Sequence, residues 1–339
     1  VYNFNDCDPE FGAGLSEVLA LLAASSGRGD WMAVARAHPA ETMLYLAYDD
    51  PAIADTPLPR AVAAFPTAGA ATMRAARTFV GLKSGPAQAG HSHLDANSFV
   101  IEAGGAPLVH DYRYWPQAHF LGYFDGGGPR WHFDGLATIG HSTLLVDGKG
   151  QAYADGCGGR IVEASDHGEW ARLVGDAAGA YPGLLTQFTR TVLLLKPDVI
   201  VIRDRVACAG ERDLEWLLHH AGTVTSRGRD SIIEHQGVRL AVTPFLPDRA
   251  LGWRVSDVMR TSTYECSDTR QEVTMAIRYR GFSAFRPAHE AEFLFGLRVN
   301  GAGSADWTFA QTEEGWTLRA AGYAGGIVPE GEMLAYRER

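Results

Sequence analysis

The sequence predicts a mainly β protein, a large antiparallel β-sandwich domain preceded by a short α-helical segment. Three observations carry that expectation. From about Ala71 onward, short runs rich in Val, Ile, Leu, Thr and aromatics alternate with Gly, Pro and Asp turns. Before that point, apolar residues recur at helical spacing. Between the two, Pro51–Pro66 is rich in Pro and Ala and reads as a linker, giving a helical segment over 1–66 and a β-domain over 67–339.

In the helical segment, Leu15, Val18, Leu19, Leu21 and Leu22 place an apolar stripe on a helix over Gly14–Ala24, which Gly27-Arg28-Gly29 breaks. Asp30 is placed to cap a second helix through Ala37. A third spans Pro39 to Tyr48, with Pro39 near its start and Asp49-Asp50-Pro51 ending it. Strands are expected at Thr78–Leu82, Ser98–Ala103, Thr143–Val146, Thr189–Leu195, Val199–Arg203, Val238–Val242, Glu272–Tyr279 and Ala291–Val299. Gly104-Gly105 closes a hairpin between Ser98–Ala103 and Ala106–Asp111. Lys196-Pro197-Asp198 turns the chain between two strongly apolar strands.

Composition narrows the function. Hydrophobic residues make up 46% and charged residues 21%, enough for a sizeable core. A formal net charge of −10 argues against a nucleic-acid groove, which needs a basic surface. It leaves room for a polyanionic ligand held by a local cluster of Arg, Lys and His. Cys7, Cys157, Cys208 and Cys266 are scattered, with no CxxC pair, so free thiols are expected rather than a disulfide framework or a zinc ribbon. No apolar run approaches the roughly 18 residues of a membrane span. The start at Val1 has neither an initiator Met nor the features of a signal peptide, so the chain is expected to begin inside a longer protein. The compartment, bacterial cytoplasm or periplasm, stays open.

Gly90-His91-Ser92-His93-Leu94-Asp95-Ala96-Asn97-Ser98-Phe99 is the densest polar cluster in the sequence. In an extended chain His91 and His93 share a face, because side chains alternate with a period of two. Two imidazoles on one face begin either a metal site or an acid/base pair. Uninterrupted pairing across Gly104-Gly105 sets Asp111 opposite Ser98 and brings a carboxylate near them. His110, its neighbour, would point to the opposite face. His141, in Gly140-His141-Ser142-Thr143, stands at the mouth of another strand. A His, Asp and His set offers mixed N and O donors suited to zinc, with a position left open.

Thr78–Gly85, Gly90–Phe99, Gly105–Tyr114 and Gly140–Gln151, taken in that order, resemble the C-terminal β-domain of heparinase II/III-like polysaccharide lyases, which include oligo-alginate lyases and heparin or heparan sulfate lyases. The resemblance implies an α/α toroid followed by a β-sandwich, with the active site between them. It implies zinc, structural and near the active site, held by His93, Asp111 and His141. His91 would face the substrate, and Tyr114 (with Tyr112 as competitor) would be the substrate-contacting, catalytic tyrosine. The implied reaction is β-elimination on a uronic acid, with an acidic oligosaccharide as substrate and the toroid as partner domain. Only Val1 to about Asp50 could be the toroid's last helices. The family's toroid-borne Tyr base and carboxylate-neutralising His have no equivalent here, so this piece alone is expected to be inactive.

Arg113 is a candidate for binding a substrate carboxylate, because guanidinium pairs with carboxylates in a bidentate way. Its alternative, like that of the nearby Trp115, Tyr123, Arg130, Trp131 and His132, is a loop packing on its own domain. Gly126-Gly127-Gly128 reads as a flexible loop without the Lys-Ser/Thr of a phosphate cradle. His219-His220 is read as a buried or edge pair. Two other functions remain: a non-catalytic carbohydrate-binding β-domain, and a cupin-like metal enzyme. A cupin wants a Glu three or four residues after its second His. Here the next is Glu102, nine positions on, which weakens that reading.

Overall fold

A computed structural model of the chain describes residues 12–57, 61–111, 124, 126–127, 129–246, 253–264, 273–284, 288–312 and 315–337. The chain divides into two compact units, Val1–Ala61 and Val62–Arg339.

The first unit holds α1 (Gly12–Ser26), α2 (Gly29–Ala37) and α3 (Met43–Tyr48). Two details depart from the sequence reading. Arg28, not Asp30, is the N-cap residue of α2, and Asp30 sits in the first turn paired with Arg28, where a carboxylate also suits the helix dipole. The third helix starts later than expected, because Thr42 caps it by accepting from the Tyr45 N–H at 3.2 Å. The apolar stripe of α1 is not the buried face. Leu15, Val18, Leu21 and Leu22 are exposed, whereas Ala20 joins Ala35, Ala40 and Tyr45 in a small core. Small side chains let these helices approach closely, which the count of large apolar residues does not reveal.

The second unit is antiparallel throughout its described pairings. A five-stranded meander runs β1 (Val62–Phe65), β2 (Ala70–Ala75), β3 (Thr78–Lys83), β4 (Ser98–Ala103) and β5 (Ala106–Val109). The expected linker therefore ends early: its last residues pair with β2 as an edge strand. The chain continues through β6 (Leu144–Val146), β7 (Arg160–Asp166), β8 (Trp170–Asp176), β9 (Leu185–Leu195), β10 (Val199–Arg212), β11 (Leu214–His219), β12 (Thr223–Arg227), β13 (Asp230–His235) and β14 (Val238–Leu246). After these come β15 (Trp253–Tyr264), β16 (Val273–Ala284), β17 (Ala288–Val299), β18 (Trp307–Thr312), β19 (Gly315–Ala320), β20 (Gly326–Glu330) and β21 (Met333–Arg337). An eight-stranded sheet has the order β12-β13-β14-β17-β10-β9-β8-β7, and two four-stranded sheets run β15-β16-β11-β6 and β18-β19-β20-β21.

The eight-stranded sheet is covered on both faces at its centre. Val192 and Leu194 of β9 and Ile200 and Ile202 of β10 enter a core shared with Met73, Leu82, Phe99 and Ile101 of the meander and Trp216 of β11. Their neighbours Leu193, Leu195, Val199 and Val201 enter a second core with Trp316, Leu318, Ile327 and Leu334. Two buried faces explain why these strands read as continuous apolar runs rather than alternating ones. Among the described residues, no helix is long and apolar enough to cross a membrane. Cys157 and Cys208 are free thiols, whereas Cys7 and Cys266 lie outside the described residues.

Candidate metal centre and adjoining cleft

His93, Asp111 and His141 come together inside the β-domain. One ligand atom of each lies within 4.8 Å of the others. The three are 2%, 5% and 0% exposed, so the donor set is closed off from bulk water. The rings of His93 and His141 stand 5.2 Å apart, and His141 Nδ1 contacts Asp111 Oδ1 at 2.5 Å.

Three separate pieces of chain deliver them. His93 follows a turn rather than lying in a strand. The backbone of His91 is left-handed, with φ of 58°, so the expected extended His-x-His does not form. His91 is consequently exposed while His93 is buried. The Leu94 N–H donates to Leu136 O at 3.0 Å and fastens this loop to the segment leading to His141.

Asp111 arrives by a route the simple hairpin register does not give. Ala103 pairs with Ala106 and Glu102 with Pro107, but Ile101 then pairs with Val109. Leu108 is the extra residue of a bulge, which bends and twists a strand. Beyond it the chain leaves β4 for the end of β11: Val109 bridges His220, and the His110 N–H reaches His219 O. Since β11 pairs with β6, this transfer carries Asp111 toward His141. His110 is not part of the donor set, as its place on the opposite face implied.

His141 follows a 3-10 turn, Thr138–Gly140. A Cβ on Gly140 would lie 2.2 Å from the Asp134 carbonyl oxygen, so glycine is what allows the chain to pass there.

Electrostatics single out this cluster. Burial works against a charged His141, but the charge and hydrogen bond of Asp111, with Asp95 beyond, outweigh it and hold the imidazole above its ordinary pKa. His219, fully buried behind it, is pushed well below the ordinary value by burial and by His141, His110 and His220. His219 and His220 are thus the buried pair expected from sequence. Nε2 of His141 is buried and makes no hydrogen bond of normal geometry among the described residues, although the Leu136 backbone lies near enough to favour the charged ring. A buried polar atom in that state is costly unless something else binds it. Two imidazoles and one carboxylate fit a borderline cation such as zinc.

His91 lines a cleft of about 420 Å³ together with Gln88, Phe124, Arg130, Trp131 and Tyr153. Its ring meets Phe124 edge-on at 5.8 Å, and Trp131 faces Tyr153 at 4.7 Å. Arg130 donates to Ser92 O at 2.9 Å, directly between His91 and His93. Gly126 accepts from Trp131 Nε1 at 2.8 Å and lies against Tyr153, where a Cβ would fall 2.4 Å from the phenol oxygen. Gln88, Phe124 and Tyr153 escaped the sequence reading. Tyr153 follows Gln151 by two residues, which was the one available signal. The expected Arg113 and Tyr114, with Tyr112, lie outside the described residues.

The geometry defines a β-sandwich protein with a buried His/Asp/His set beside an aromatic-lined cleft. The sequence profile of the family described as Heparinase II/III-like, C-terminal matches residues 57–325, and the chain belongs to that family. Similar solved structures include the heparan sulfate lyase HepC from Pedobacter heparinus, at 16% identity and a TM-score of 0.68, covering 95% of this chain and 48% of that one. A heparinase III gives 14% identity and a TM-score of 0.67, with 95% and 48% covered. A mutant chondroitin AC lyase from Streptomyces coelicolor A3 gives 14% and 0.56, with 96% and 49% covered. The chain spans about half the length of these structures.

Proposed function

We propose that this chain is the β-domain portion of a polysaccharide lyase that cleaves uronic-acid-containing glycans, heparin/heparan sulfate-type or alginate oligosaccharides, by β-elimination. The observation that carries the reading is the placement of exposed His91 on a sugar-sized cleft, two residues from the buried His93, Asp111 and His141 set. Flat aromatic walls suit sugar rings, and Trp131 and Tyr153 supply them. The exposed stripe of α1 is consistent with helices meant to meet further helices.

In this reaction a base takes the C5 proton beside the carboxyl group. The C–H electrons form the C4=C5 double bond, the C4–O bond breaks, and the departing oxygen takes up a proton. His91 faces the substrate and helps neutralise its carboxylate, which acidifies the C5 proton. Tyr114, carried over by resemblance, serves in proton transfer, and Arg113 binds a substrate carboxylate. The toroid of the longer protein supplies the remaining base and neutralising groups, so the chain by itself is inactive in this reading. His93, Asp111 and His141 would hold zinc, which when bound supplies a fixed positive charge that organises this wall of the cleft.

The test uses the full-length protein with alginate, heparin and heparan sulfate oligosaccharides. A rise in ultraviolet absorbance from 4,5-unsaturated uronate, lost in a His91→Asn variant, is expected. Binding without unsaturated product from any substrate would favour the second reading, a non-catalytic carbohydrate-binding domain, which the span of about half the related structures keeps in view.

A further inference from the structure

Arg190 lies in the middle of β9, fully buried, directly across from Asp204 of β10. Its Nε donates to Asp204 Oδ1 at 2.7 Å, and Nη2 donates to Asp204 Oδ2. Trp216 Nε1 donates to the same Oδ2 at 2.6 Å, fixing the carboxylate from the far side. The remaining Nη1 does something different. It donates to Asn97 O and, at 2.6 Å, to Ser142 O. Asn97 belongs to the loop that carries His93, and Ser142 is the residue after His141.

We propose that Arg190 is the positioning residue of the metal centre: one guanidinium nitrogen ties together the two separate loops that present His93 and His141. The inference rests on the reading of that set as a metal site. Three features support a positioning role over a merely cohesive one. First, Arg190 is charged and buried among Phe99, Phe188 and Trp216, a setting in which an apolar residue of similar size would serve packing as well. Second, its fork is the only side-chain geometry that can hold a carboxylate with one edge and present a further N–H pair elsewhere. Third, the two carbonyls it binds belong to the two separate chain segments that carry His93 and His141, so one nitrogen spans both. A second latch acts on the same loop: Gln151 accepts from the Ala96 N–H and donates to Ala96 O, both at 2.9 Å.

The experiment uses the full chain stripped of metal, then titrated with zinc against a chromophoric chelator and with cobalt(II) followed by visible absorption. Arg190→Lys keeps the charge but cannot bridge both carbonyls while gripping both carboxylate oxygens. Arg190→Met with Asp204→Asn removes the charges and keeps an acceptor for Trp216. Zinc affinity is expected to fall about 10–100-fold in both, with an altered cobalt spectrum. The rise in Tm caused by saturating zinc should shrink accordingly. Arg190→Met with Asp204→Asn leaves no buried charge unpaired and is the milder of the two, so it provides the measurement if Arg190→Lys does not fold. Variants that melt lower but keep the native zinc affinity and cobalt spectrum would overturn the proposal, leaving Arg190 a structural residue only. A native chain that binds neither metal would instead sink the metal centre, and this inference with it.

Discussion

Two buried polar clusters sit next to each other in the β-domain, and they differ at one nitrogen, His141 Nε2. Around Arg190, the guanidinium makes four hydrogen bonds and Asp204 accepts on both oxygens. Around His141, two imidazoles crowd one carboxylate, and His141 Nε2 makes no hydrogen bond of normal geometry among the described residues. The first arrangement is complete within the protein. The second has the donors of a cation site and makes physical sense once a cation shares them. Burial alone therefore does not distinguish the two clusters, and the partnerless His141 Nε2 is what supports reading the second as a cation site.

The contrast is broken most severely at the completed cluster. Asp204→Ala strands a buried guanidinium and should cost on the order of 3–5 kcal/mol, measured by urea denaturation. Gly140→Ala comes next: a methyl group forced against the Asp134 carbonyl should cost about 1–3 kcal/mol and weaken metal binding by displacing His141. The His/Asp/His cluster should respond to metal instead. A chelator should lower the Tm of the native chain and leave that of His141→Ala unchanged, because only the native chain gains stability from bound metal. His91→Asn should alter stability by no more than about 0.5 kcal/mol, since Asn tolerates the left-handed backbone. In the proposed elimination reaction, the same change should nevertheless abolish or strongly reduce formation of unsaturated product by the full-length protein.

The smallest effect is expected at an exposed carboxylate, Asp147. Its carboxyl is held below the ordinary range, first by the Asp213 N–H and then by Arg212. A depressed folded pKa gives stability that is present above the unfolded value and lost as pH falls through the folded one. Asp147→Asn should slightly flatten the acid side of a Tm-against-pH curve.

Much of this was legible in the sequence, for identifiable reasons. Ser98–Ala103 was found to the residue because turn signals bound it on both sides. β9 and β10 were recognised but cut short, because polar residues such as Arg205 and Gln187 conceal strand ends that still pair. The composition of the His/Asp/His set was legible, yet its delivery was not. A one-residue bulge at Leu108 and a left-handed turn at His91 both break the period-two rule, and neither leaves a glycine as a signal. Arg190 had a signal that passed unread: a lone arginine inside an apolar strand is expensive unless something specific needs it. The stripe on α1 misled because alanine, not leucine, forms the packed face in this chain.

The central claim is that His93, Asp111 and His141 form a metal centre, and elemental analysis of the purified chain tests it most directly. The account predicts stoichiometric zinc in the native chain and its loss in His93→Ala. Zinc unchanged in His93→Ala, or a native chain that takes up none, would contradict it.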